Sequence, residues 1–359
     1  MGLPALNIVF VSAAKNTIKR SQRGAVGMII KEATTSVKTN PVVIYKESDI
    51  PTELSPDSKE QITLALKGNV NAPSKIVVYV LGTGDADYKK ALAYFELKKV
   101  NWLCCPTIKT DKQEQAVATW VKEQRGKRNK VKAVLPNQEA DSEGVVNYAT
   151  DSATIGEKKY TADKFCSRIV GLIAGTPATE ATTFSVLPEV SECTIMERST
   201  IDTAIKAGKF VLYYDGEKVK VARGVNSLTT TSEEKADPWK KIKVVEVMDM
   251  INDDLTILIE DYYIGKYTNI FDNKCLVLMA VRSYFDELTR GGLLDYYEVD
   301  FDVEAIRDYL VETKGMDRDV VEAMPDAEVK KQYTDEKIFM NASVTIADVM
   351  EDITLNIAV

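Results

Sequence analysis

A regular alternation of strand-like and helix-like segments in the first half of the chain constrains the fold more than any other feature. Apolar runs of strand length lie at Ile76–Leu81, Asn101–Cys105 and Lys132–Leu135. Between them, Tyr88–Leu97 and Lys112–Glu123 carry apolar residues at helical spacing. Because strands and helices that alternate in this way form βαβ units, the sequence predicts a mainly parallel sheet covered by helices.

The segments around this alternation indicate more than one domain. Strands are predicted at Ala25–Ile30, Val42–Tyr45 and Lys337–Ile346, and a hairpin is predicted at Phe210–Tyr214 and Val219–Arg223. Helices are predicted from Asp57 to Gly68 and at Ala162–Ala174, Ser199–Ala207, Ile242–Tyr262 and Lys274–Arg290. A further helix is predicted after a cap at Asp300 or Asp302. A chain of 359 residues is too long for one ordinary core. We therefore expect a multidomain α/β and α+β protein, with a parallel-type α/β region at 21–190, a mixed core domain at 191–345, and extended β-strand arms at 1–20 and 346–359.

Both predicted arms are apolar strands without an obvious partner. The strand at 3–11 places Leu6, Ile8 and Phe10 on one face, and the last strand places Ile353, Leu355, Ile357 and Val359 on one face. A polar stretch at 12–20 resembles a hinge. Unpaired apolar strands are a liability for a monomer, but they complete the sheet of a neighbour by β-augmentation. Since donor and acceptor surfaces then differ, repeated contacts generate rings or open helices, and we expect these residues to link subunits.

The absence of histidine from the sequence excludes several classes of enzyme. Ser-His-Asp and Cys-His catalysis are impossible, and the commonest zinc ligand is missing. Five scattered cysteines, Cys104, Cys105, Cys166, Cys193 and Cys275, form no CxxC pair, so buried thiols are expected, with a redox-active Cys104–Cys105 pair as the alternative. The sequence shows neither a signal peptide nor a membrane span, and its net charge of −8 disfavours nucleic acid, so folding in a cytoplasm is expected.

A glycine-containing turn at Gly82–Gly84 follows a predicted strand, where such turns can cradle phosphate. However, no third glycine and no GK[ST] follows, and Asp85 and Asp87 lie where an anion would bind. We therefore expect a plain turn and no cofactor, and we keep a nucleotide-binding α/β enzyme as the alternative.

Two groups of charged residues have a functional interpretation beside an ordinary one. The basic group at the end of the predicted helix at 112–123 consists of Lys122, Arg125, Lys127, Arg128, Lys130 and Lys132. A solvated helix end is the ordinary interpretation, and a contact surface for an acidic neighbour is the alternative. In the helix predicted at 242–262, Asp249 and Asp253 share a face and could hold Mg²⁺, but a solvated surface is favoured and no metal is expected.

Four segments in order along the chain carry a family resemblance. The first is the opening strand leading to RSQRGAVG, with Arg23 and Gly24, and the second is the hairpin leading to RGVNSL, with Arg223, Gly224, Asn226 and Ser227. The third is the helix exit YIGKYTN, with Tyr263, Gly265 and Lys266, and the fourth is the final alternating strand. Together they resemble the contractile tail sheath protein of myophages and phage-tail-like bacteriocins, and the length suits prophages of Gram-positive hosts. Residues 346–350 lack the proline often found there in the family.

The resemblance implies a structural protein and not an enzyme. Copies would stack as hexameric rings around a tail tube protein, between baseplate and tail terminator components, and would shorten to drive the tube through a bacterial envelope. It also implies that the arms join strands of neighbouring subunits, that the C-terminal core domain faces the tube, and that the quoted motif residues are structural. Assembly in the bacterial host cytoplasm, without nucleic acid or membrane insertion, would follow. A non-contractile ring or adhesin subunit that exchanges strands remains a further alternative.

Overall fold

The structure is a computed structural model that describes residues 23–33, 39–127, 129–233 and 235–358. The predicted strand containing Leu6, Ile8 and Phe10, the predicted hinge at 12–20, Arg128 and Val359 lie outside the described residues. The described residues group into two compact units. The larger unit comprises 23–251, 288–298 and 343–358, and the smaller unit comprises 252–287 and 299–342. This grouping changes at residue 251, and the domain boundary expected at residue 190 stays a prediction.

The elements follow one another in a mixed order. The strands are β1 (Ala25–Glu32), β2 (Val42–Ile44), β3 (Lys75–Gly82), β4 (Trp102–Cys104), β5 (Lys132–Pro136), β6 (Val145–Tyr148), β7 (Ser152–Ile155), β8 (Lys158–Thr161), β9 (Val190–Cys193), β10 (Lys209–Phe210), β11 (Leu212–Tyr214), β12 (Val219–Val221), β13 (Leu294–Phe301) and β14 (Met340–Ile346). The helices are α1 (Pro56–Leu66), α2 (Lys89–Leu97), α3 (Ile108–Asp111), α4 (Glu114–Gly126), α5 (Ala162–Ala174), α6 (Arg198–Lys206), α7 (Ile242–Tyr262), α8 (Phe271–Arg290), α9 (Val303–Glu312), α10 (Arg318–Glu322) and α11 (Asp326–Val329).

The main sheet of the larger unit has seven strands in the order β10-β6-β5-β4-β1-β3-β2. Every pairing in it is parallel except that of β2, which runs antiparallel to β3. The prediction of a mainly parallel sheet is therefore confirmed. Three smaller sheets, β8-β7-β9, β11-β12 and β13-β14, complete the architecture, and β6 to β9 and β13 are strands that the sequence patterns did not predict.

The main sheet is buried on both faces because its strands are apolar at successive positions. On β1, Met28 and Ile30 belong to one core cluster, together with residues of α1 and α5. Ile29 belongs to the other cluster, together with residues of α2 and α4. Because successive strand residues point to opposite faces, each face carries its own pair of helices, which is the arrangement expected of a parallel sheet.

Two predicted helix starts can be compared with the observed caps. Asp302 caps α9 as predicted, since its carboxylate accepts a hydrogen bond from the Ala305 amide at 3.0 Å. The helix predicted to start at Asp57 starts one residue earlier, at Pro56. Ser55 is the N-cap of α1, and its hydroxyl accepts from the Ser58 amide, because Pro56 takes the first helical position.

Close packing of α5 against α1 depends on a glycine in the middle of α5. A Cβ atom on Gly171 would lie 2.0 Å from the carbonyl oxygen of Ala65 in α1, which is closer than any non-bonded contact permits. We expect Gly171→Ala to lower the free energy of unfolding by about 1–3 kcal/mol, because the two helix backbones must separate. Urea unfolding of the purified protein measures this.

The matched control is Gly126→Ala, which also adds a Cβ to a helical glycine. No atom lies within 4 Å of that Cβ position in α4, so the control should be neutral or stabilising by up to about 1 kcal/mol. Equal effects of the two substitutions would contradict the proposed close packing.

Candidate functional site

A buried group of charged side chains fixes the start of α7 to the main sheet. Asp249 of α7 accepts two hydrogen bonds from the Arg125 guanidinium, from Nη1 at 2.9 Å and Nη2 at 3.0 Å. The Nζ atom of Lys132, on β5, lies 2.5 Å from Asp249 Oδ2 and 2.9 Å from Glu246 Oε1. The Arg125 Nε atom also donates to Glu143 Oε1 at 3.1 Å. We call Arg125, Lys132, Glu143, Glu246 and Asp249 the ionic cluster.

The neighbouring cations keep the carboxylates of Asp249 and Glu246 ionised. Burial alone would raise the pKa of the Asp249 carboxyl, but the Lys132 ammonium and the Arg125 guanidinium hold it below its ordinary value. In the same way, Lys132 and then Arg23 overcome the effect of burial and lower the pKa of Glu246. Both carboxylates are therefore ionised at neutral pH, and each compensates a neighbouring cation.

The ionic cluster corrects both interpretations of the charged groups. Arg125 is 7% exposed and Lys132 is 1% exposed, so neither belongs to a solvated helix end or to a contact surface. Their shared partner Asp249 lies 124 and 117 residues away in sequence, on a helix whose start is buried and not solvated.

The rest of the basic group has a different environment. Lys122 and Lys127 are exposed, and the Lys130 ammonium donates to the carbonyl oxygen of Arg125. The contact surface stays a prediction for the exposed residues only. Asp249 is occupied by cations and cannot share a Mg²⁺ ion with Asp253, and among the described residues no group of three or more acidic residues or cysteines is placed to hold a metal.

The motif residues Arg23 and Gly24 stand where the chain enters β1. The Arg23 Nη2 atom donates to Glu246 Oε2 at 2.7 Å, which connects the start of the described chain to the ionic cluster. Gly24 has a positive φ of 79°, and a Cβ atom there would lie 2.6 Å from the carbonyl oxygen of Ala174. Both properties require glycine at this position.

The RGVNSL segment, residues 223–228, crosses from the hairpin β11-β12 to the start of α7. Asn226 is fully buried, its Nδ2 donates to the Trp239 carbonyl at 2.7 Å, and its Oδ1 accepts from the Leu228 amide at 3.0 Å. The Ser227 hydroxyl donates to the Ser142 carbonyl at 3.0 Å. These side chains satisfy buried backbone groups, which agrees with the structural role that the resemblance implies for them.

Arg223 holds the segment that precedes the C-terminal apolar residues. Its Nη2 atom lies 3.0 Å from Glu351 Oε2 and 2.6 Å from Asp352 Oδ2. Lys241 pairs with Asp348 and lies 3.5 Å from Glu351, and the Thr183 hydroxyl also donates to Glu351. We call residues 347–352 the C-terminal root.

Beyond the C-terminal root the chain makes no strand of its own. Ile353, Leu355 and Ile357 are 81%, 77% and 76% exposed, and residues 347–358 carry no regular secondary structure. The half-buried strand predicted for 353–359 is therefore absent from the described residues of the isolated subunit. We call residues 353–358 the C-terminal tip.

The helix exit motif closes α7 in the smaller unit. Gly265 has a positive φ of 73° in the turn that follows the helix, and the exposed Lys266 ammonium lies 5.9 Å from the ring centre of Tyr262. The half-buried Tyr263 ring packs 5.7 Å from the ring of Tyr267. The turn lines a groove of about 810 Å³. These motif residues form a helix end, and no catalytic group is placed among them.

A carboxylate of the protein itself, that of Asp85, binds the Gly82–Gly84 turn. The Asp85 carboxylate accepts from the Gly82 amide at 2.9 Å and pairs with Lys90 at 2.9 Å, so the amide that a phosphate would use is already bound. The vicinal thiols are structural as well, since both are buried and burial raises the pKa of Cys104 to about 12.

Comparisons with known proteins agree on one family. A family model described as the phage tail sheath protein central domain matches residues 82–227, and one described as the phage tail sheath C-terminal domain matches residues 234–359. The tail sheath protein of Clostridium phage phiCD119 is 34% identical over 363 aligned residues, which cover 99% of each chain.

Solved structures share the fold at low sequence identity. The sheath tail protein of Desulfitobacterium hafniense has a TM-score of 0.69 and 16% identity, over 84% of this chain and 94% of that one. That of Listeria innocua has a TM-score of 0.68 and 16% identity, over 92% and 97%. The helical sheath of the anti-feeding prophage in its contracted state has a TM-score of 0.68 and 15% identity, over 100% and 99%.

None of the helices in the described residues has the length and apolar character needed to cross a membrane.

The ionic cluster makes the stability of the larger unit depend on Asp249. We expect Asp249→Asn to lower the free energy of unfolding by about 3–5 kcal/mol, because it leaves two buried cations without full compensation. Chemical denaturation measures the change. The control Asp237→Asn removes a carboxylate paired with Lys240 at the surface and should cost less than about 1 kcal/mol. Equal losses would show that the cluster contributes no more than a surface pair.

The same carboxylates give the stability a defined pH dependence. Since the folded-state pKa values of Asp249 and Glu246 lie below their unfolded values, the stabilisation is complete above about pH 5 and is lost as the pH falls through the folded values. The difference in unfolding free energy between the native protein and Asp249→Asn should therefore shrink between pH 6 and pH 3, by about 1 kcal/mol or more. A constant difference over this range would contradict the assignment.

Proposed function

We propose that this chain, which belongs to the phage tail sheath protein family, is a structural subunit of a contractile tail sheath whose copies join as follows. Identical copies form hexameric rings that stack helically around a tail tube protein, with baseplate and terminator components at the two ends. Support comes from solved structures of the same fold, one described as a helical sheath in the contracted state and one as a baseplate with six-fold symmetry.

One observation carries the proposal for assembly: an anchored C-terminal root is followed by an exposed apolar tip. The tip side chains Ile353, Leu355 and Ile357 would each contribute roughly 1.5–3 kcal/mol if they were fully buried. Ordering the backbone costs about 1–2 kcal/mol per residue, so an isolated tip gains little by folding on its own subunit. A neighbouring sheet edge adds backbone hydrogen bonds, and this donated strand joins two copies.

The acceptor that fits best is the sheet of β13 and β14. These two strands pair only with each other among the described strands, and a two-stranded sheet is marginal by itself. Most side chains along β14 are exposed, so one face of this strand remains uncovered. An added strand from a neighbour would extend the sheet and cover the tip. The N-terminal residues Leu6, Ile8 and Phe10 are proposed as a second donated strand on the strength of their sequence pattern.

The role is structural, and no enzyme activity is proposed. The Gly82 amide is already bound by Asp85, which disfavours a nucleotide site. Contraction without nucleotide is physically possible when the extended sheath is kinetically trapped.

We also propose assembly in the bacterial host cytoplasm, since all five cysteines are free thiols and four of them are buried. The exposed Lys122 and Lys127 are proposed as a contact for an acidic neighbouring surface.

Replacing the apolar side chains of the tip tests strand donation. We expect the triple variant Ile353→Asn, Leu355→Asn and Ile357→Asn to stay folded, with an unfolding free energy within about 0.5 kcal/mol of the native value, because these side chains are exposed in the subunit. It should form no tubes, since the donated strand loses its apolar face. Electron microscopy and urea unfolding of the same preparations measure both properties.

The control variant carries Thr354→Asn and Ala358→Asn, which change the opposite face of the same strand. It should form tubes of normal length. Tubes of normal length from the triple variant, or loss of its fold, would contradict strand donation.

A further inference from the structure

Residues near both limits of the described chain are held at one place in the larger unit. Arg23 is the first described residue after the N-terminal segment, and it binds Glu246. The C-terminal root is bound by Lys241 and Lys243, the second of which donates to the carbonyl oxygen of Ala347. We call residues 23–27 the N-terminal root. Residues 241–246 at the start of α7 thus contact both roots within two helical turns.

A small cavity brings the two contacts side by side. Arg23, Gly24, Lys243 and Glu246 line the same space of about 50 Å³. Lys243 and Glu246 are three residues apart, so they lie on one face of α7. Burial lowers the pKa of Lys243, and its ammonium contacts a backbone carbonyl. Lys243, which contacts Ala347, and Glu246, which contacts Arg23, therefore line one cavity, so displacement of either contact changes the electrostatic surroundings of the other charge.

The segment between α5 and β9 provides a second connection. A Cβ atom on Gly24 would lie 2.6 Å from the Ala174 carbonyl oxygen, and one on Gly224 would lie 2.6 Å from the Thr182 hydroxyl. The neighbouring Thr183 hydroxyl accepts from the Gly224 amide at 3.0 Å and donates to Glu351. Two of the four Arg-Gly pairs in the sequence, Arg23-Gly24 and Arg223-Gly224, therefore pack their glycines against residues 174–183 and direct their arginines to a carboxylate.

We propose that residues 241–246, with Arg23 and Arg223, form a shared anchor that couples the N-terminal and C-terminal arms within each subunit. The inference rests on the proposed function, because the arms matter only if neighbours hold them. In an assembled sheath each subunit would then pass a displacement of one arm to the other. Rearrangement could spread from subunit to subunit along the chain of arm contacts, and the coupling is reciprocal by thermodynamic necessity.

Hydrogen exchange of the full-length protein before assembly tests the coupling. Glu246→Gln removes the charge that holds Arg23, and among the described residues the charged partners of Glu246 are Arg23 and Lys132, outside the C-terminal root. We expect the amides of the C-terminal root, including Ala347, whose N–H donates to Leu293 O at 3.0 Å, to exchange at least about threefold faster in this variant. Reciprocally, Glu351→Gln should speed exchange at residues 23–27 by a similar factor.

The matched control is Asp111→Asn, which removes a carboxylate from another partly buried ion pair of the larger unit. Lys31 and Asp111 lie 2.8 Å apart with side chains 12% and 13% exposed, against 2.7 Å and 19% each for Arg23 and Glu246. Asp111→Asn should leave exchange at both roots unchanged. Exchange that rises only at the mutated root, or rises equally throughout the larger unit, would overturn the proposal.

Failure of this inference can be separated from failure of the proposed function. Exchange is measured on the unassembled chain, whereas tube formation is scored by electron microscopy of the native protein. Tubes without coupled exchange would overturn the shared anchor and leave the sheath role intact. Coupled exchange without tubes would support the anchor within the subunit and contradict the proposed assembly.

Discussion

The ion pair between Asp249 and its two cations, Lys132 and Arg125, is the interaction on which the rest of the larger unit depends. It joins α7 to β5 and α4 in the buried part of that unit. A buried carboxylate and its cations stabilise a structure only as a complete set, because removing one charge leaves the others uncompensated. The start of α7 therefore has one well-defined position, and this fixes the position of the chain segments that contact it.

The subunit combines a firmly bound C-terminal root with an exposed apolar C-terminal tip. The C-terminal root is bound by Arg223 and Lys241, whereas the apolar tip that follows contacts little of its own chain. The contacts of the C-terminal root fix the point where the C-terminal tip leaves the subunit. The tip therefore loses less conformational entropy when a neighbouring subunit binds it. Exposed apolar strands lead to uncontrolled association in most proteins, and we propose that in a sheath subunit the same property directs assembly.

The sequence predicted elements with a clear apolar period and missed contacts between distant residues. The helix at 162–174 was predicted at its observed bounds because its apolar residues recur at helical spacing. Lys132 was misassigned to a surface group because a local run of cations does not reveal that Asp249, 117 residues later, packs against it. The strands β7 and β8 are short and partly exposed, so they give almost no apolar signal. The alternating pattern of the tip is visible in the sequence, but a strand forms only beside a partner strand, and none of the described strands pairs with the tip.

Cryo-electron microscopy of tubes formed by the full-length protein tests the central claim most directly, because it shows what covers the tip. The account predicts that residues 353–358 continue from their root as a strand hydrogen-bonded to a sheet of a neighbouring copy, with Ile353, Leu355 and Ile357 buried in that contact. A tip folded onto its own subunit, or tubes held together while the tip remains exposed to solvent, would contradict it.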